Sequence, residues 1–506
     1  PFLVGNKRSI NLKSRIIGTL SELQLQKTEF ETGNSTQFLA DLVIRNLDNP
    51  DSTTYRVYFN KFTTDYNDLC QIELPPFDSS YQQRLILPEF VGALGKVQLR
   101  GELMGSYSDV NLFGVIPTEI GEVKTDLHLD ASNEVTSYSG SVSAKNADIG
   151  KIYKTDQMGM INCELSLKGQ GDDIDNLYLE FDSRISQFEL LHYNLQNIEA
   201  KGNYKHRNFN GHMKIDDSNV NLTFDGIANF SEVLPVLDFD AQISSFNPSV
   251  FGLIADTSLS SFSGDIQMRS EGLDYSVFEG YAWMRNLKFC SRDKDYHIEN
   301  VRIESSRTGR PVMKISGDLA DAEISGNFVI DDIPASLLDI TSSIIPSIHS
   351  SERAHKNQEF DLRLTLKDIE PITSIFIPQF KIAQGSYLRA SVNETASEFE
   401  CTFDSDFILF DDYRARDLLI DIHRPVDVVY GTITAESFSI PGGLNIDAIG
   451  LEVSIDNDTL NTALTWNQTD RKHAGDINGK LVLSNNGKIN FDFSKSDLTA
   501  VGERFT

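Results

Sequence analysis

The sequence predicts an all-β, elongated and repetitive protein with a few short helices. Three observations predict it. Apolar and polar residues alternate in run after run, no long amphipathic helices separate those runs, and short segments recur about 100 residues apart.

The alternation comes first. Along Leu177-Tyr-Leu179-Glu-Phe181-Asp every second residue is apolar, and Val220-Asn-Leu222-Thr-Phe224-Asp repeats the period, with Gly226, Ala228 and Phe230 continuing its face. Phe360-Asp-Leu362-Arg-Leu364-Thr-Leu366-Lys reads as a strand with one wet side. Phe399-Glu-Cys401-Thr-Phe403-Asp and Phe491-Asp-Phe493-Ser follow the same rule. Side chains of a strand point alternately to opposite faces, so each run has one apolar and one polar side. Turns such as Asp225-Gly226 and Asn485-Asn486-Gly487 punctuate them. Without alternating long helices, a parallel α/β sheet is excluded.

Short helices are expected at three places. Leu337, Ile340, Ile344 and Ile348 mark one helical face after Pro334, with Pro346 ending or kinking it. Residues 247–254 and 371–377 suggest single turns. The polar stretch Ser350–Gln358 is the predicted linker, which divides the chain into an N-terminal segment 1–94, repeating units over 95–349, the linker 350–358 and a C-terminal segment 359–506.

Repetition is the third observation. Gly171-Asp-Asp-Ile-Asp recurs near Gly272-Leu-Asp-Tyr-Ser, and Leu195-Gln-Asn197-Ile-Glu-Ala answers Ile298-Glu-Asn300-Val-Arg-Ile. Leu222-Thr-Phe-Asp-Gly226 answers Glu323-Ile-Ser-Gly326, and Gly95-Lys-Val-Gln-Leu-Arg echoes at Gly264 and Gly385. At 506 residues the chain exceeds the ~250–300 at which one core stops growing. Its apolar faces are therefore hidden in successive sandwiches, or left as the floor of one long trough. Periodicity does not choose between them. Roughly 35 strands at ~4.8 Å would extend about 170 Å as one sheet.

Charge narrows the partners. With 74 acidic against 45 basic residues the net charge is −29, which disfavours nucleic acid and anionic membrane surfaces. A lipid on such a chain is held by its tails; the same charge also serves plain solubility. Cys70, Cys163, Cys290 and Cys401 form no C-x-x-C pair and read as small buried hydrophobes. The first residues lack a signal peptide's apolar stretch, no run is long enough to span a membrane as a helix, and the chain is expected to be cut from something longer.

Catalytic chemistry is not indicated. The nine histidines show no metal-ligand spacing, and His206 and His212 read as surface residues near a hairpin. Gly169-Gln-Gly171-Asp-Asp-Ile-Asp175 lacks the spacing and terminal glutamate of a calcium loop and reads as a solvated turn. Acidic pairs such as Asp216-Asp217 and Asp411-Asp412 belong to an acidic background. No catalytic residue, metal or cofactor is expected, and the chain reads as a non-enzyme.

One resemblance sharpens the choice. The stretches 197–205, 209–226 (Phe209-Asn-Gly to Asp-Gly226) and 235–241 (Pro235-Val-Leu-Asp-Phe-Asp-Ala) resemble repeat units of Bacteroidota-type TamB proteins of the AsmA-like translocation and assembly module family. So do Leu319-Ala-Asp-Ala-Glu-Ile-Ser-Gly326-Asn-Phe and Asn490-Phe-Asp-Phe-Ser to Gly502, the likeness covering roughly residues 10–506. The resemblance implies a repeating β-groove that carries phospholipid through the periplasm, or assists outer-membrane protein assembly. It also implies an inner-membrane anchor and an Omp85-type outer-membrane partner. Neither matches any segment of this chain, so both contacts are expected through regions outside it. Under the groove reading the lining is Leu177, Leu179, Phe181, Val220, Leu222, Phe224, Leu362, Leu364, Leu366, Phe399 and Phe403, and phospholipid is a transported ligand. The alternatives are a lipid-free periplasmic scaffold and, more remotely, an extracellular adhesin or glycan-binding protein.

Overall fold

In the computed structural model the alternating runs become strands, each pairing antiparallel with its neighbour in sequence. The structure describes residues 10–49, 52–71, 73–78, 81–84, 89–133, 135–171, 177–253, 259–272, 278–291, 294–333, 335–336, 357–424, 428–442, 444–456, 458–469, 472–483 and 489–505. Two compact units are formed, residues 1–235 with 239–257 and residues 236–238 with 258–506. The expected all-β, repetitive architecture with a few short helices is found, as an antiparallel sheet whose strands follow one another as a meander.

In the first unit four strands, Ile10–Gly18 to Thr54–Thr64, are followed by nine, Val97–Gly105 to Val220–Asn229. These thirteen pair in chain order, while Glu73–Asp78 and Tyr81–Arg84 form a separate hairpin. Short helical turns interrupt the meander at Tyr66–Leu69, Glu89–Leu94, Ile149–Tyr153 and Pro248–Phe251. They follow the fourth and eighth strands and Val236–Phe246, and successive connections of a meander alternate between its edges. The Asn247 N–H donates to the Asn219 carbonyl at 2.9 Å, so all four rim the same edge. In the second unit six strands, Leu259–Glu271 to Glu359–Leu366, and seven more, Tyr387–Asn393 to Ala474–Leu483, again make thirteen. There the helix Glu370–Phe376 occupies a connection between the two groups. Residues 247–254 and 371–377 thus hold the short turns expected of them; the predicted helix over 337–348 and most of the linker lie outside the described residues. Gln358, at the linker's end, is buried.

Bulges line up along the rimmed edge of each unit. Asn146 and Asn197 in the first, and Asn286, Asp417 and Ala448 in the second, take the positive φ of a left-handed residue toward that end of their strands, and Lys27 takes it at mid-strand. A bulge releases a ladder N–H and bends its strand. The released groups find side-chain acceptors one strand away. Lys27 N–H donates to Asp41 Oδ1 at 2.7 Å and Gln196 N–H to Asp217 Oδ2 at 3.1 Å. Glu299 and Asn300 both donate to Asp318 Oδ2, at 2.7 and 3.1 Å. Asp217 and Asp318 do the same work one repeat apart, and Leu195 and Ile298, matched in the sequence echo, are both buried beside these bulges. The echo has a structural cause.

A carboxylate also fixes the turn at 33–36. Asp68 is buried, and its Oδ2 accepts from the N–H groups of Asn34, Ser35 and Thr36 at 3.0, 2.8 and 3.0 Å and from the Ser35 and Thr36 hydroxyls. Burial pushes this carboxyl up, but the donors outweigh it and hold it well below the usual carboxylate range. A depressed pKa contributes stability that is complete above the unfolded aspartate value of ~4 and is lost as pH falls below it toward the folded one. Asp68→Ala is expected to cost about 2 kcal/mol at neutral pH. Thermal unfolding should show that difference shrinking below pH ~4, because only the native chain loses its clamp there.

Candidate functional site

The paired registers settle which side chains share a face. In the second unit, directly opposed residues run Met268, Ala282, Ile303, Ile315, Ala322, Leu364, Leu388, Phe403, Ile420, Ile433, Leu451, Leu464, Ile477. Thirteen consecutive strands contribute no polar side chain to this row, which spans roughly 58 Å at ~4.8 Å per strand. One residue over, the opposite face reads Arg269, Tyr281, Glu304, Lys314, Glu323, Arg363, Arg389, Thr402, Asp421. The sheet is amphipathic along its whole described width.

The first unit repeats the arrangement. Its row is Ile16, Leu25, Leu42, Val57, Leu103, Leu112, Leu127, Gly140, Leu167, Phe181, Gly202, Gly211, Gly226. Where the row turns to glycine, phenylalanines lean over it. Phe181 and Phe209 are 6.1 Å apart, Phe209 and Phe224 6.2 Å, and Phe224 and Phe239 5.0 Å, a tilted ladder on the apolar side. A Cβ on Gly202 would lie 2.3 Å from the Asn210 carbonyl oxygen, so the strands approach each other there only because glycine has none.

Exposure distinguishes an open face from a closed core. Every residue of the second unit's row is half-buried, none fully covered and none fully exposed. Closed clusters occur only locally. Leu195, Ile198, Ile215 and Val220 are sealed by Phe251 of the rim, and Met313, Ile324, Phe360, Val392 and Val429 form a second knot. The predicted lining divides accordingly. All eleven residues lie on the apolar face by pairing or by alternation, but Val220 is buried, and Leu222, Leu362 and Phe399 pack against the closed clusters. Leu177, Leu179, Phe181, Phe224, Leu364, Leu366 and Phe403 are half-buried outside those clusters. Leu388, Ile420, Ile433 and Leu451 belong beside them; their runs carry the same period of two, for example Leu451-Glu-Val453-Ser-Ile455.

The polar face carries its own relief. Two clefts of about 730 and 690 Å³ share Ser143, Glu164 and Arg184 and hold basic and acidic groups in near balance. They lie opposite the apolar row, so they are not part of the lining. Cys163 and Cys401 sit on the apolar face, half-buried rather than buried as the sequence suggests, and burial pushes both thiols up. His212 Nδ1 meets Asp225 Oδ1 at 2.7 Å, while His206 stands in the turn. Among the described residues no group of His, Cys, Asp or Glu could hold a metal ion, and no helix is long and apolar enough to cross a membrane.

Open and closed positions should respond differently to charge. Leu222→Asp places a carboxylate against a sealed cluster and is expected to cost about 3 kcal/mol. Leu388→Asp faces the open row, where the new charge keeps access to water, and about 1 kcal/mol is expected. Urea unfolding of the two variants measures the difference; equal losses would mean the row is covered like a core. No protein-family model, curated protein or solved structure matches this chain, so the reading of the site rests on its own geometry.

Proposed function

We propose that this chain is a stretch of a lipid-carrying bridge in the bacterial cell envelope, holding phospholipid acyl chains along its apolar rows. It is not an enzyme on this reading. One observation carries the proposal: thirteen successive strands of the second unit present apolar side chains in register, and all of them remain half-buried. The first unit's row, equally free of polar side chains, supports the same reading.

The energetics favour such a surface as a path. Each methylene taken from water contributes ~0.8 kcal/mol, so exposing a 16-carbon tail costs on the order of 12 kcal/mol. A row of leucine, isoleucine and phenylalanine lowers that cost at every step. Apolar burial is non-directional, so no strong site halts the lipid along the row. One leaflet of a bilayer is ~15 Å thick, and a row of about 58 Å is several tails long. The resemblance to TamB-type repeats supports a periplasmic setting, with the inner membrane and an Omp85-type partner engaged by regions outside this chain.

Photo-crosslinking in cells tests the proposal, with the probe at Leu364 and separately at its neighbour Arg363 on the polar face. Lipid attached at 364 and absent at 363 is expected. Lipid at neither, with position 364 joined to envelope polypeptides, would replace the conduit with an assembly scaffold.

A further inference from the structure

The knot of Met313, Ile324, Phe360, Val392 and Val429 is one of two closed clusters on the second unit's apolar face, the other being Leu287, Ile298 and Val301, and part of its cover comes from a connection. Directly after the strand Ala320–Asn327, the chain turns back over the sheet instead of forming a tight hairpin. A single 3-10 turn, Ile330–Asp332, carries Phe328, Ile330 and Ile333 onto the knot. This connection leaves the edge opposite the helix Glu370–Phe376, since one strand separates the two. The five residues of the knot are buried, with Ile303, Leu362, Phe399, Ile422, Ile455 and Leu460 also packed on it, whereas Ala322 and Leu364, farther along the strands of Ile324 and Phe360, are only half-buried.

One side chain ties the segment to the sheet at two points. Gln358 is buried at 2% exposure, its Oε1 accepts from the Val329 N–H at 2.9 Å, and its Nε2 donates to Ser336 Oγ at 2.8 Å. Gln358 is itself fixed to the sheet, its N–H donating to Glu394 Oε2 at 3.0 Å and its carbonyl accepting from the Glu394 N–H at 2.9 Å. One amide side chain thus latches the turn from both sides.

We infer that the Met313–Phe360–Val392 knot is an acyl-chain site occupied by the chain's own Phe328–Ile333 segment, and that Gln358 latches this built-in occupant in place. The inference rests on the lipid reading above. Three apolar side chains on a short turn and a lipid tail cover the same kind of surface without directional bonds, so one can replace the other with little change in what is buried. The segment then bars lipid from the edge of the face nearest its own connection while leaving the central row clear. Release of the latch opens that edge.

The test uses the whole chain with a photoactivatable palmitate analogue, read by mass spectrometry of labelled peptides. Gln358→Ala removes both latch bonds, and the double variant Phe328→Ala with Ile333→Ala removes the occupant while keeping the latch. Circular dichroism and melting temperature confirm that each variant is folded. In the unaltered chain, label is expected on peptides containing Leu388 or Phe403 and absent from those containing Met313 or Phe360. Either variant should raise label at Met313 and Phe360 at least several-fold and leave Leu388 unchanged. Equal labelling of both regions in the unaltered chain, or no rise in both folded variants, would overturn the built-in occupant and leave the lipid reading standing. No label anywhere would overturn the lipid reading, and this inference with it.

Discussion

Register is the constraint on which the rest of this structure depends. Strand side chains alternate with a period of two, so a slip of one residue in any pair would move a charged row onto the apolar face. Opposite Leu364 stands Leu388, and one position away Arg363 stands opposite Arg389. Shifting that pair by one would set one of the leucines beside an arginine and the other beside Thr365 or Tyr387. The apolar row survives thirteen strands because every turn and every bulge between them preserves phase. No second sheet is required to enforce this, only the cost of placing charges such as Glu304, Glu323 and Asp421 among aliphatic neighbours.

Bulges threaten that phase, and the chain compensates. A left-handed residue at Asn197 adds one position to its strand, and the buried residues on either side, Leu195 and Ile198, are three apart instead of two. The cost of the released amides is met by Asp217 and Asp318, which are short enough to reach back one strand. This explains why aspartate recurs in the repeats of an already acidic chain. Part of the negative charge is structural, and Asp68 in its turn is another part.

Sequence pattern reveals the strands and the apolar side of each, because alternation is a local property. Leu179 with Phe181, and Leu364 with Leu366, could be placed on one face from their own runs alone. Whether a face is open or sealed is not local. Val220 and Leu222 look the same as Leu364 and Leu366 in sequence, yet Phe251, about 30 residues later, seals the first pair. Likewise Phe399 and Leu362 pack against a closed knot that Phe328 and Ile333 also join, from a connection whose polar and apolar residues gave no sign of where it would fold. The bulges were hidden for a related reason. A missing step in a period of two reads as noise until its amides are seen to have partners.

An open row of this length is itself an argument about what covers it. Folded monomers seldom leave contiguous apolar patches beyond a few hundred Å² in water, and a strip about 58 Å long exceeds that once it is one side chain wide. A protein partner would be expected to concentrate its contacts on a few anchors, typically Trp, Tyr or Arg in pockets. Along this row stand only alanine, leucine, isoleucine, methionine and one phenylalanine, evenly spaced and evenly half-buried. Nothing in it distinguishes one strand from the next. A surface without anchors fits an occupant without side chains, which favours an acyl chain over a polypeptide.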